Sequence, residues 1–203
     1  MKKTDLPLFP CVMLAAGKSE RMGRWKISME WEELTIIETS VNRALSSCHS
    51  VVIVSGYKSK ELHDLFSAPR WQTFKNRIEI VHAGSWEEGM FASAMRGFKE
   101  IPDHAGWCFL ALGDMPLVSP DIYRQLGEHA NTQGTWKTVI PQYKGKKGHP
   151  VLLEKEALRY ALTLQDSRSM RDVISAFPSL IVPASESGIL QDIDTPEDYE
   201  DCK

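Results

Sequence analysis

Short apolar runs alternate with stretches of helical periodicity along the whole chain. The runs fall at 11–16, 51–54, 78–81, 107–112, 138–140, 151–153 and 180–182. Most are continuously apolar rather than alternating, the pattern of strands buried on both faces of a parallel sheet. Helix starts are readable between them. Thr35 followed three residues later by Glu38 is a capping box, and Ile37, Val41, Ala44, Leu45 and Cys48 form one apolar stripe. Ser119-Pro120 sets an N-cap before a proline at the first helical position, ahead of Ile122, Tyr123 and Leu126. Thr195-Pro196-Glu197-Asp198 repeats that signal near the C-terminus. The alternation predicts an α/β fold with right-handed crossovers: a three-layer, doubly wound, Rossmann-like sheet of about seven mostly parallel strands. The sequence shows neither a Pro/Gly/Ser-rich linker nor an internal repeat, so a single domain over 1–203 is expected.

Composition narrows the partners. The 203 residues carry 24 Lys and Arg against 27 Asp and Glu, a net charge of -3, which argues against nucleic acid as a partner. With 42% hydrophobic and 25% charged residues the chain reads as globular. Among Cys11, Cys48, Cys108 and Cys202 no pair has CxxC spacing, so neither a zinc ribbon nor a dithiol redox pair is indicated. Cys11 and Cys108 lie in apolar runs and read as small buried hydrophobes. The first ten residues lack the apolar core of a signal peptide, and no run approaches the ~18 apolar residues of a membrane span. A reduced cytoplasmic protein is expected, with no membrane partner.

In an open α/β sheet ligands collect outside the carboxyl ends of the strands. The first strand delivers Leu14-Ala15-Ala16-Gly17 and then residues 18–26, whose Lys18, Arg21, Arg24 and Lys26 against Glu20 give a local charge of +3. Small residues let backbone approach a ligand, and successive N–H groups with arginine and lysine can cradle phosphates. That outlines a polyphosphate site, although neither GxxxxGK[ST] nor GxGxxG is present, and a solvated basic turn has the same composition. The run ending at 112 leads into Gly113-Asp114-Met115-Pro116, which sets a carboxylate at a strand end where Mg²⁺ could be held. An ordinary turn aspartate would look alike. In Asp192-Ile193-Asp194, alternation places both carboxylates on one face and Ile193 on the other. Asp194 could instead only favour the terminal helix dipole.

Taken in order these segments resemble a known family. Leu-Ala-Ala-Gly-x-Ser-x-Arg-Met-Gly-x-x-Lys at 14–26 is similar to the signature of the MobA-like molybdopterin nucleotidyltransferases. The segments 86–90 with Ser93, 113–119, 148–153 and 192–198 resemble the family's later motifs, so the similarity spans about 11–199. Ala16 resembles the molybdenum cofactor cytidylyltransferase branch, where the guanylyltransferases carry glycine. The resemblance implies a single NTP transferase domain with the nucleotide-diphospho-sugar-transferase-like fold. It implies transfer of CMP from CTP, or of another nucleotide, to the phosphate of a molybdopterin-type acceptor, in the maturation of a molybdenum hydroxylase whose apoenzyme would be a partner. Arg21, Lys26 and Asp114 would be catalytic, with the nucleotide held by Leu14, Ala15, Ala16, Gly17, Arg21, Lys26 and Gly113. Asp114, Asp192 and Asp194 would hold Mg²⁺, or Mn²⁺ in its place. Gly89, Met90, Ser93, Lys146, Lys147 and His149 would face the acceptor, with Trp86 as a further wall of a pterin pocket or an apolar anchor. Three segments depart from the family: 27–33 lacks its Leu/Pro-rich run, Ala83 replaces a common asparagine, and 165–168 lacks glycines. They leave open another phosphorylated acceptor, or a non-catalytic cofactor-binding accessory protein.

Overall fold

The computed structural model describes residues 9–132, 134–164 and 169–202. The departure at 165–168 lies outside them, as do the first eight residues of the N-terminal segment. All seven apolar runs form strands: β1 Cys11–Ala15, β4 Val51–Ser55, β5 Ile78–His82, β6 Trp107–Leu112, β7 Thr138–Tyr143, β9 Val151–Glu154 and β10 Ser179–Pro183. Their order across the sheet is β10-β7-β9-β6-β1-β4-β5. The two-residue strands escaped the sequence reading. They are β2 Glu30–Trp31 and β3 Leu34–Thr35, which pair antiparallel, and β8 Lys146–Lys147, which folds back on β7. β9 also departs from the parallel pattern, because it runs antiparallel to both β6 and β7. Its residues Val151, Leu152 and Leu153 are buried on both sides, so their apolarity reports burial and not strand direction.

The helices are α1 Ile36–Leu45, α2 Ser59–Phe66, α3 Met90–Phe98, α4 Pro120–Glu128, α5 Lys155–Thr163, α6 Met170–Ser175 and α7 Pro196–Cys202. On one face of the sheet α1, α2 and α4 cover Cys11, Met13, Ile53 and Phe109. On the other, α3, α5 and α6 cover Val12, Leu14, Val54 and Leu110. A third cluster joins Met22, Trp31 and Ile36 to Ile193 and to Tyr199 of α7. Cys11, Cys48 and Cys108 are buried free thiols within this packing. No described helix is long and apolar enough to cross a membrane.

The caps show which start signals act as chemistry. At α1 the box is complete: the Glu38 amide donates to Thr35 Oγ1 at 3.4 Å, and the Thr35 amide donates to Glu38 Oε2 at 3.0 Å. Fully buried Glu38 also accepts from Trp71 Nε1 at 2.8 Å, which ties α1 to the segment after α2. α7 starts likewise, with the Asp198 amide donating to Thr195 Oγ1 at 3.1 Å. α4 begins at Pro120 as expected, but the Ser119 hydroxyl makes no cap, and its backbone N–H donates to Glu186 Oε1 at 3.0 Å instead. Proline at the first position suffices there.

Strand order places the site. β1 leads by α1 to β4 on one side, and the chain returns to put β6 on the other side of β1. The crevice at such a switch point opens between the loops that leave β1 and β6.

Candidate active site

A cavity of 810 Å³ occupies that crevice, a volume within the range of small-molecule sites. Its floor is the Leu14–Gly17 turn leaving β1. Leu112 and Asp114 close it from β6, Trp86, Gly89, Met90 and Ser93 from the β5–α3 connection, and Asp192 and Asp194 from the segment before α7. Four separate stretches of sequence therefore meet at one opening.

The glycine turn is open toward the cavity. A Cβ built on Gly17 meets no atom within 4 Å, and its φ is not left-handed, so neither packing nor backbone conformation asks for glycine there. The space a side chain would fill opens into the cavity that Gly17 lines. Gly89 differs: at φ 115° and ψ -174° it holds a conformation that L side chains rarely adopt, and it sets the first turn of α3 against the cavity. Gly113 is not in the lining. It packs beneath, with its amide on the Leu14 carbonyl at 2.8 Å and its carbonyl accepting from Ser40 Oγ at 3.1 Å.

The carboxylates converge as the alternation predicts. Ile193 is fully buried, and its amide donates to the Asp114 carbonyl at 3.0 Å, which pins the 192–194 segment to the end of β6. One carboxylate oxygen from each of Asp114, Asp192 and Asp194 lies within 4.8 Å of the others. Lys26 reaches into this group, its Nζ 2.6 Å from Asp114 Oδ2 and 2.5 Å from Asp194 Oδ1, with the side chain only 11% exposed. Arg21 pairs with Asp194 Oδ2 from the solvent side. The sequence grouped Arg21 and Lys26 with phosphates; the structure sets both on the acids.

The electrostatics follow from these contacts. Burial disfavours the Lys26 cation, but Asp114 and Asp194 outweigh it and hold its pKa above the ordinary 10.5. Burial likewise opposes ionisation of Asp194, and Lys26 and Arg21 overcome it, so Asp194 titrates below 3.8. Asp192 goes the other way: burial, then the neighbouring Asp194 and Asp114 charges, raise it above 3.8. Because the folded pKa of Asp194 is depressed, its ionised form adds stability above pH 3.8 that is lost on acidification. Asp192 has the opposite sign, so its ionisation costs stability at neutral pH. Asp192→Asn is therefore expected to raise the melting temperature at pH 7 by roughly 2 °C, and Asp194→Asn to lower it by a similar amount. Thermal unfolding checks this, and falls in both variants would contradict it.

Three residues expected to face an acceptor are not brought to the cavity. Lys146 and Lys147 are exposed on β8, opposite Tyr143 and Gln142, outside the lining. His149 lies behind the site. Its amide donates to the Ile189 carbonyl at 2.9 Å, its Nδ1 is shut from solvent, and burial lowers its pKa below 6.5 despite the Leu110 carbonyl and Asp114. The hairpin that carries Lys146 and Lys147 reverses at Lys144 and Gly145, both at positive φ. The structure adds residues instead. Lys18 lies 3.9 Å from Glu87 and 5.5 Å from the centroid of the Trp86 ring, linking two walls, and Ile27 enters the lining. Lys18 was visible only as one of four loop cations, because its partners are remote in sequence.

Comparison with known proteins identifies the family and the fold. The family model described as the MobA-like NTP transferase domain matches residues 11–181. The molybdenum cofactor cytidylyltransferase of Escherichia coli K12 is 32% identical over 95% of this chain and 94% of its own. Among solved structures, Rv0371c from Mycobacterium tuberculosis H37Rv superposes with a TM-score of 0.79 at 18% identity, covering 97% of this chain and 98% of that one. A nucleotidyl transferase from Methanothermobacter thermautotroptrophicus gives 0.78 at 23%, covering 96% and 95%. These two likenesses concern the fold.

Proposed function

The chain belongs to the MobA-like NTP transferase family, and from that premise we propose that it moves CMP from CTP to the terminal phosphate of a molybdopterin-type cofactor, releasing pyrophosphate. The observation that carries this reading is the convergence of Asp114, Asp192 and Asp194 around Lys26, facing the open Gly17 turn across one cavity. Ala16, the residue that resembles the cytidylyltransferase branch, lies in that turn, and the 32% identical relative bears a cytidylyltransferase name.

Three carboxylate oxygens are hard donors, and this donor set suits Mg²⁺, or Mn²⁺ in its place, rather than a soft or square-planar metal. Held by Asp114, Asp192 and Asp194, the ion would supply positive charge against the α-phosphate and the leaving pyrophosphate. The chain's own groups do the rest. Backbone amides of the Leu14–Gly17 turn, with Arg21 and Lys26, bind and orient the triphosphate. Gly89 and Ser93, at the start of α3, border the nucleotide and acceptor side with Met90 and Trp86. An oxygen of the acceptor phosphate forms the new P–O bond to the α-phosphorus as the bond to the β-phosphate breaks. A phosphate monoester has its second pKa near ~6, so that oxygen is already anionic at neutral pH and needs no general base. Catalysis is then positioning and charge neutralisation.

A second reading, another phosphorylated acceptor, is favoured by one observation: Lys146, Lys147 and His149 lie outside the cavity. In the first reading, delivery of the finished dinucleotide to a molybdenum hydroxylase apoenzyme would follow. Pyrophosphate release with molybdopterin, Mg²⁺ and each of CTP, GTP and ATP separates the readings. Release with CTP alone is expected; release only with a different phosphorylated acceptor supports the second reading. Turnover with no nucleotide on any acceptor would favour a non-catalytic accessory protein.

A further inference from the structure

The position of Lys26 bears on how the metal site fills. Its ammonium makes close contacts to Asp114 Oδ2 at 2.6 Å and to Asp194 Oδ1 at 2.5 Å, two of the three carboxylates that would hold the metal. Arg21 takes the second oxygen of Asp194, so both of that carboxylate's oxygens are already paired with cations. Lys26 is no loosely tethered surface cation. Its side chain is 11% exposed, and the residue anchors a short turn at 26–28 beside the buried Ile27. Against three carboxylates the two cations leave a net local charge of -1, which is close to balance.

We propose that Lys26 is the resident counter-ion of the metal site, and that a divalent cation enters together with the nucleotide because the triphosphate draws Lys26 off the carboxylates. This rests on the reading of Asp114, Asp192 and Asp194 as metal ligands. A free divalent ion would have to displace the ammonium from two carboxylates or sit beside it among oxygens that lie within 4.8 Å of each other, where like charges repel. A nucleoside triphosphate brings roughly four negative charges near neutral pH. It offers Lys26 phosphate oxygens in place of carboxylate oxygens, which frees Asp114 and Asp194 as the metal arrives. Lys26 is then a positioning residue for the metal before it is a phosphate contact. By reciprocity, whatever weakens the hold of Lys26 on the acids strengthens nucleotide-free metal binding by the same coupling.

The test is the affinity of the nucleotide-free protein for Mn²⁺, read from the free-ion electron paramagnetic resonance signal, for the wild type, Lys26→Met and Lys26→Arg. Lys26→Met is expected to bind Mn²⁺ about tenfold more tightly than the wild type, a change equivalent to ~1.4 kcal/mol. Lys26→Arg, which keeps the charge, is expected to stay near the wild type. Circular dichroism confirms folding, and Lys26→Gln carries the same expectation should the methionine variant fail to fold. Equal, measurable affinities in all variants would overturn the counter-ion proposal while leaving the metal site standing. Failure of every variant to take Mn²⁺ without nucleotide, with Mn²⁺ uptake in the presence of CTP the same for Asp114→Asn as for the wild type, would overturn the metal site and the proposal with it.

Discussion

Asp114→Ala is expected to lower kcat by about 10³-fold while the protein still unfolds in one cooperative transition. The loss follows from what the side chain touches. Asp114 contributes one of three converging carboxylates and one of two anchors for Lys26, so its removal withdraws a metal donor and loosens a cation at once. The fold has no such dependence. The tie between β6 and the acidic segment uses the Asp114 backbone carbonyl, which accepts from the Ile193 amide at 3.0 Å and survives the substitution. The side chain is not part of the apolar core, so the stability change should stay within about 1 kcal/mol. Steady-state turnover with a urea unfolding curve reads both quantities. Unchanged turnover would remove Asp114 from the chemistry, and loss of cooperative unfolding would make its role structural.

Gly148→Ala is expected to act on stability and geometry together. A Cβ on Gly148 would lie 2.1 Å from the Ile189 carbonyl oxygen and 2.8 Å from its carbon, and the obstacle is backbone that cannot rotate aside. Both strands of the contact are tied, since the Gly148 amide donates to the Pro141 carbonyl and the His149 amide to the Ile189 carbonyl, each at 2.9 Å. Relief must come from moving the 187–191 turn, at a cost of about 3 kcal/mol. That turn leads directly into Asp192 and Asp194. A displacement approaching ~1 Å there is expected to reduce kcat by roughly 10²-fold in the fraction that remains folded. Denaturant midpoint and turnover measured on the same preparation test this. Wild-type values for both would mean that the turn moves freely and does not hold the acidic pair.

The sequence was most legible where one physical cause dominates. Burial on both faces marked the central strands such as β1 and β4, because continuous apolarity in a chain of this charge arises chiefly where both sides of a segment are shut from water. The edge strands β5 and β10 were legible from apolar runs that are only partly buried. It could not reveal that β9 runs antiparallel, since both orientations bury the same side chains. The capping box at Thr35 and Glu38 was readable because its bonds are local, whereas the link from Glu38 to Trp71 spans 33 positions and leaves no local pattern. The same limit shaped the site. Asp192 and Asp194 were legible as a pair through alternation, but the contact of Lys26 with Asp194 joins residues 168 apart. The Gly148–His149 motif signalled something specific in the family resemblance. Its place is packing against Ile189 behind the cavity, which motif and charge alone did not separate from an acceptor contact.

The central claim is that this cavity transfers the α-phosphoryl end of CTP to a phosphate acceptor. It is met most directly by incubating the protein with molybdopterin, Mg²⁺ and CTP labelled either at the α- or at the γ-phosphate, and following each label. The expected result is α-label in a dinucleotide product and γ-label in pyrophosphate, in equal amounts. Label that stays in CTP, or α-label released as free CMP whether or not acceptor is present, would contradict it.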